Sequence, residues 1–456
     1  MNVGRYFLYF CGQLGLMTLV RFFLTWIVRF SESPVKGETT EALVAGTTIG
    51  TVLLAFRIFD GVTDPVAGNL SDAWVRKGRE RRKLLWFWFL VPSLGLVLCF
   101  LPGLGMSVPL RWLLLVVGMF LLFVGYTFYA IPYWSLIDDY GKDENERRQM
   151  SNLLGVGILA ATALGSVASG KAIDAFGYRT ATLVFAGPAA LLMLLPIFAR
   201  PPTAKTLLPK DDSGPGLIES VKVALKHRRF LATLFLFAGS QMSFTVLTAG
   251  SIYIVEYVIT STAPESDNSN VLAAFLATSF LAFAVVPWVS RRLGWERACM
   301  LASLLLAVVY GGTAFLGQGI IGTPLMTMAV LFALGGPMAA VLLGLEGEAV
   351  TDCANQRGDE MTAIYFGVYN LVIKCFNALA LFLTSLLTVL IVPASKDGLG
   401  WGSSGARLIG PIAGGLLVLG VVAYFLARPK KGDEAKGEGE VQPGIAEAGS
   451  SEEPEA

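Results

Sequence analysis

Long apolar runs, each closed by charged residues or a Gly/Pro cluster, recur along nearly the whole chain. A helix needs about 20 mostly apolar residues to cross the hydrocarbon core of a bilayer. The pattern therefore predicts twelve membrane-spanning helices. Six lie near residues 6–28, 43–72, 84–104, 111–138, 151–171 and 179–199, and six more near 230–258, 271–290, 297–317, 323–349, 360–393 and 404–427. Several runs exceed the minimum, which implies tilt or extension beyond the bilayer. The predicted organisation is an N-terminal six-helix half (1–200), a polar cytoplasmic linker (201–229), a C-terminal six-helix half (230–427) and a disordered acidic cytoplasmic tail (428–456). Within the linker, Leu217–Leu225 has the pattern of an amphipathic helix lying on the membrane surface. The tail is rich in Gly, Glu and Pro and lacks the apolar surface needed to fold.

Composition sharpens this into a class. Of 456 residues, 54% are hydrophobic and 15% charged, against about 25% charged in a soluble domain. The fold class is an all-α polytopic membrane protein. Its charges are distributed unevenly. The segment Val75–Lys83 carries Arg76, Lys77, Arg79, Arg81, Arg82 and Lys83, whereas Ser261–Asn270 carries no Lys or Arg. By the positive-inside rule, loops after even-numbered spans are cytoplasmic, and so are both termini. The expected location is the plasma (inner) membrane. The first apolar run is too long for a cleaved signal and has no small-residue cleavage site, so it is read as a retained helix. Cys11, Cys99, Cys299, Cys353 and Cys375 are scattered, and His227 is the one histidine. That argues against disulfides, structural zinc and His-based catalysis. The chain is read as no enzyme, with no cofactor and no nucleic-acid partner, and monomeric by default.

The second predicted span contains Arg57, Asp60 and Asp64. Helical spacing puts both carboxylates one turn apart on one face, with Arg57 just above them. Each ionised residue at the middle of a spanning helix costs roughly 2.5–3.5 kcal/mol on insertion scales, so the cluster needs a partner or a use. Asp60, Asp64, Thr63 and Thr127 could offer oxygen ligands to a hard cation, while a proton needs only a carboxylate. Sodium and proton stay open as the coupling ion. Pro65 removes one helical hydrogen bond and could free a carbonyl near residue 61. Lys374, near the middle of the eleventh span, is expected to reach across to the other half and neutralise the carboxylates until an entering cation displaces it. A permanent structural ion pair is the alternative.

Candidate substrate contacts are Arg21, Tyr126, Ala130, Trp134, Gln241, Asn370 and Asn377. Thr127, Ala130 and Trp134 share one helical face, with Tyr126 beside it. Aromatic rings there suit the apolar face of a sugar, or a lipid, and equally suit ordinary packing. Arg21 suits an anionic group or a pairing with Asp60. Glu256, close to the outer surface, reads as solvated or gating. Glu346 and Glu348, placed near the inner surface, read as partners of Arg357 or other loop cations.

Arg57-x-x-Asp60-x-x-x-Asp64-Pro65-x-x-Gly68 resembles the second-span signature of the glycoside–pentoside–hexuronide:cation symporters, the melibiose-permease branch of the major facilitator superfamily. Ala130-Ile-Pro132-Tyr133-Trp134-Ser-Leu is similar to the family's fourth-span motif, and Lys374 falls where the family has an eleventh-span lysine. Gly68-x-Leu-Ser-Asp72 followed by Gly78-Arg79 resembles the superfamily's basic loop. The resemblance implies a bundle of two six-helix halves working by alternating access, with Asp60, Asp64 and Thr127 holding the cation. Sugar-transporting members have an aspartate where this chain has Ala130, and another in the first span, where Gly12–Thr18 contains no acid. A relative that carries lysophospholipids with sodium has a less polar cleft. The expected function is cation-coupled symport of a sugar or glycoside. The alternatives are a sodium-coupled lysophospholipid or amphiphile carrier and, in another class, a non-transporting sensor or scaffold.

Overall fold

The computed structural model describes residues 3–32, 43–44, 46–140, 144–199, 222, 225–317, 322–355, 362–391 and 402–428. These residues form helices joined by short turns. The first group is α1 (Val3–Glu32), α2 (Gly46–Arg76), α3 (Arg81–Trp88), α4 (Val91–Cys99), α5 (Val108–Trp134), α6 (Leu136–Tyr140), α7 (Glu144–Thr162) and α8 (Ser169–Leu194). The second is α9 (Arg228–Tyr257), α10 (Pro264–Phe283), α11 (Val286–Leu293), α12 (Trp295–Gly311), α13 (Pro324–Asn355), α14 (Thr362–Ile391), α15 (Ser403–Ala406) and α16 (Ile409–Ala427).

Among the described residues nine helices are long and apolar enough to cross a membrane, and α10 with α11 makes a tenth crossing bent by 60°. Two further features complete the twelve-helix bundle. Residues Leu153–Phe198 form one continuous apolar stretch, but Gly177 breaks it with φ 75° and ψ 167°. That backbone conformation costs glycine nothing and other residues a good deal, so the stretch turns back and crosses twice. The helix α2 is missing from the apolar set because Arg57, Asp60 and Asp64 lie within it. The third crossing is also broken, at Phe89–Leu90 between α3 and α4. A π-helical turn, Ala163–Ala168, links α7 to α8. Both irregularities are absent from the apolar pattern, which records length and not backbone phase. The predicted surface helix at Leu217–Leu225 and the tail beyond Arg428 lie outside the described residues, apart from Lys222 and Leu225.

The first six crossings and the last six meet along three seams: α2 against α14, α8 against α10, and α1 against α9. Small residues allow the first seam to close. A Cβ on Gly50 would come within 2.6 Å of the Ser385 Cβ, and one on Gly61 within 2.7 Å of Leu371 Cδ1.

Polar contacts crossing between halves cluster where α1 ends. Arg29 pairs with Glu256 at 2.7 Å. Glu32, 7% exposed, accepts a hydrogen bond from Tyr253 at 2.6 Å and another from Thr388. On the opposite face, basic residues tie each half internally. Arg81 binds Ser71 at 3.0 Å and Asp139 at 3.1 Å. Arg229 binds Asp352 at 2.7 Å and Glu296 at 3.0 Å.

Candidate functional site

The helix α2 runs through Pro65 without interruption from Gly46 to Arg76, which keeps Asp60 and Asp64 in register on one face. Asp60 has no exposed surface. Its Oδ1 accepts a hydrogen bond of 2.6 Å from the Thr127 hydroxyl on α5, and that hydroxyl lies 3.4 Å from Asp64 Oδ1. From α14, in the other half, the Lys374 ammonium donates to Asp64 Oδ2 at 2.5 Å and sits 3.3 Å from Asp60 Oδ2. Arg57 Nη1 approaches the same Asp60 oxygen at 3.5 Å. That oxygen has two cations beside it and accepts no hydrogen bond.

Two carboxylates and two cations balance, which is what allows four charged groups to share a buried site. Two rings frame the cations: Arg57 lies 5.0 Å from the centre of the Phe123 ring and Lys374 5.8 Å from that of Tyr126. Asp60 Oδ1, Asp64 Oδ1 and Thr127 Oγ1 converge, giving part of the oxygen shell a hard monovalent cation requires. The ammonium of Lys374 compensates those same carboxylates. An incoming cation and the lysine would therefore compete for one pool of negative charge, and the lysine belongs to the opposite half.

The remaining predicted residues divide. The Thr63 hydroxyl points back along its own helix, donating to the Asp60 carbonyl at 3.0 Å, so in this conformation it does not face the carboxylates. Arg21 does not pair with Asp60: the cations there are Arg57 and Lys374. Arg21 instead packs beside the π-helical turn, where a Cβ on Gly165 would lie 2.8 Å from its own Cβ. Ala130 has no exposed surface, so it packs here rather than lining an open cavity. The Trp134 ring meets Tyr126 edge to face at 6.2 Å, and its indole N–H donates to Gln13 Oε1 at 3.0 Å. Gln13 was absent from the predicted set, although a glutamine in the middle of the apolar run at 6–28 was a usable signal. Asn370 is exposed one turn before Lys374, and Asn377 accepts from Thr245 at 3.0 Å.

Gln241 contacts neither Asp60 nor Asp64. Its amide donates to Glu346, which overturns the reading of Glu346 as a partner of loop cations, and Glu348 accepts from Ser290 at 2.8 Å. Arg357 lies outside the described residues. Glu256 is tied to Arg29, which fits a gate better than a solvated side chain.

Comparison with known proteins places this geometry. The family described as MFS/sugar transport protein matches residues 9–399. Among solved structures, the nucleoside transporter NupG superposes with a TM-score of 0.63 at 13% identity, covering 94% of this chain and 100% of NupG. A bacterial homologue of the human lysosomal transporter Spinster, in an inward-facing and unoccupied conformation, gives a TM-score of 0.63 at 15% identity, covering 93% of this chain and 95% of that one. At such identities the likeness shows the fold alone, and the family match carries the assignment. The chain belongs to the MFS/sugar transport protein family of the major facilitator superfamily, and it is a membrane transporter rather than an enzyme.

Proposed function

We propose that the protein is a cation-coupled symporter of a small organic solute, a sugar or glycoside, working by alternating access with both termini cytoplasmic. The observation that carries this reading is Lys374 reaching from α14 to Asp60 and Asp64 on α2. A carboxylate pair whose counter-ion comes from the opposite half links charge at the site to the packing of the halves. When sodium or a proton neutralises the acids, Lys374 loses its partners and the α2–α14 seam weakens. Coupling then requires only that cation and solute favour the same closed state.

The contacts among Arg29, Glu32, Tyr253, Glu256 and Thr388 hold the halves together where α1 ends. That supports a conformation closed to the outside and accessible from the basic, cytoplasmic face. A sodium-coupled lysophospholipid or amphiphile carrier is the second reading, favoured by Ala130 in place of an acid and by the exposed Val62, Val66 and Leu70 on α2. Maintaining a buried two-acid, two-base site gives a non-transporting scaffold no advantage.

The test is gradient-driven uptake in proteoliposomes, using a panel of sugars and lysophospholipids with and without sodium at two pH values. Asp60→Asn and Asp64→Asn should each abolish accumulation against a gradient. Undiminished gradient-driven uptake in both variants would falsify the coupling. Sodium-enhanced lysophospholipid uptake without a sugar response would replace the first substrate reading with the second.

A further inference from the structure

A second carboxyl lies in the C-terminal half, away from the two aspartates. Glu346 projects from α13 between α9 and α14. Gln241 Nε2 sits 3.0 Å from its Oε2 and 3.3 Å from its Oε1, and the Tyr369 hydroxyl donates to Oε1. Both donors are neutral. Among the described residues no Lys, Arg or His contacts Glu346. Several other acids among the helices are ion-paired, with Arg57 and Lys374 at Asp60 and Asp64, Arg29 at Glu256 and Arg229 at Asp352, whereas Glu32 is, like Glu346, held by neutral donors.

The elements packed around α13 supply no compensation either. The groups facing Glu346 are Gln241 on α9, Tyr369 on α14 and the fully buried Cys299 on α12. Glu348, on the same helix, is exposed and bonded to Ser290 of α11. Arg291 and Arg292 at the end of α11 are exposed, and Glu265 and Asp267 sit in the first turn of α10. An ionised carboxylate held by neutral donors alone has no fixed counter-charge, so a mobile ion can supply the compensation.

Sodium needs several oxygens at once, and beyond the carboxyl itself only the Gln241 amide and the Tyr369 hydroxyl are in reach among the described residues. A proton fits. When the carboxyl is protonated, a flip of the Gln241 amide turns its oxygen to accept the new O–H, while Tyr369 still donates to the other carboxyl oxygen. Both carboxyl oxygens of Glu346 then have a partner in either charge state.

We propose that Glu346 is a second, proton-binding site, distinct from the Asp60–Asp64 pair and held by Gln241 and Tyr369. Polar groups join the two sites. The Thr245 hydroxyl contacts the main-chain carbonyl of Gln241 at 2.9 Å and Asn377 Oδ1 at 3.0 Å, and Asn377 is one turn from Lys374 on α14. The proposal does not depend on what the aspartates bind.

Infrared difference spectroscopy of the full chain in liposomes tests it. At neutral pH the wild type should show a protonated-carboxyl C=O band that Glu346→Gln loses and that the double variant Asp60→Asn/Asp64→Asn retains. Tyr369→Phe, which deletes one donor to the carboxyl, should shift that band upward, and it provides the reading if Glu346→Gln does not reconstitute. A spectrum unchanged by Glu346→Gln, or a band that does not move in Tyr369→Phe, overturns the proposal. Neither result bears on cation coupling, which the uptake assay with the aspartate variants reads separately.

Discussion

Thr127 decides how the two aspartates share a site. Its single hydroxyl donates to Asp60 at 2.6 Å and leaves its lone pairs beside Asp64. A hydrogen bond to a charged group contributes about 1.5–3 kcal/mol. Thr127→Val keeps the shape and removes the donor, so the expected result is a cation affinity weakened about ten- to hundredfold. Titration of uptake or of ligand binding against cation concentration measures this, and an unchanged half-saturation would show that the hydroxyl is a spectator. Lys374 is less replaceable. Removing it leaves two acids beside Arg57 alone, so one of them must take up a proton or a cation.

The seam between α2 and α14 works because glycines stand where side chains would collide. A Cβ on Gly50 would collide with Ser385 beside the Phe382 backbone, while one on Gly61 would meet the movable tip of Leu371. Gly50→Val forces the helices apart, and overpacking of this kind costs roughly 1–3 kcal/mol. The expected outcome is a lower melting temperature in detergent, together with slower uptake, since Lys374 must then span a wider gap. The breaks between α3 and α4 and between α10 and α11 follow another logic. Pro92 and Pro287 fall at the N-terminal ends of α4 and α11, where a missing N–H is harmless. The preceding residues leave the helix and restart it at a new angle, 60° in the second case.

At the scale of the whole molecule, one face is latched by charge. Arg29 and Glu256 join α1 to α9, and Glu32 accepts from both Tyr253 and Thr388, bringing in α14. Removing one partner of a buried pair costs about 3–5 kcal/mol, so Arg29→Ala should depopulate this closed conformation by more than about a hundredfold. A single cysteine at Ser269, fully buried at this face, reports on it in a background lacking the five native cysteines. Labelling by a membrane-impermeant maleimide should accelerate strongly in Arg29→Ala, and equal rates would show that the latch does not hold the gate.

Lengths of apolar runs, the uneven placement of Lys and Arg, and the spacing of Asp60 and Asp64 were legible along the chain, because each depends on local periodicity and on the cost of charge in hydrocarbon. Those quantities determined the class, the bundle and the pair of acids. What lies opposite a side chain is not local. That Thr63 turns back on its own helix, that Arg21 makes no ion pair with Asp60, that Gln13 holds Trp134, and that Glu346 sits among neutral donors were decided by how α1, α5, α9, α13 and α14 rotate against one another. Helix rotation is set by packing over the entire interface, so only the folded molecule could reveal which acids are ion-paired and which are held by neutral donors.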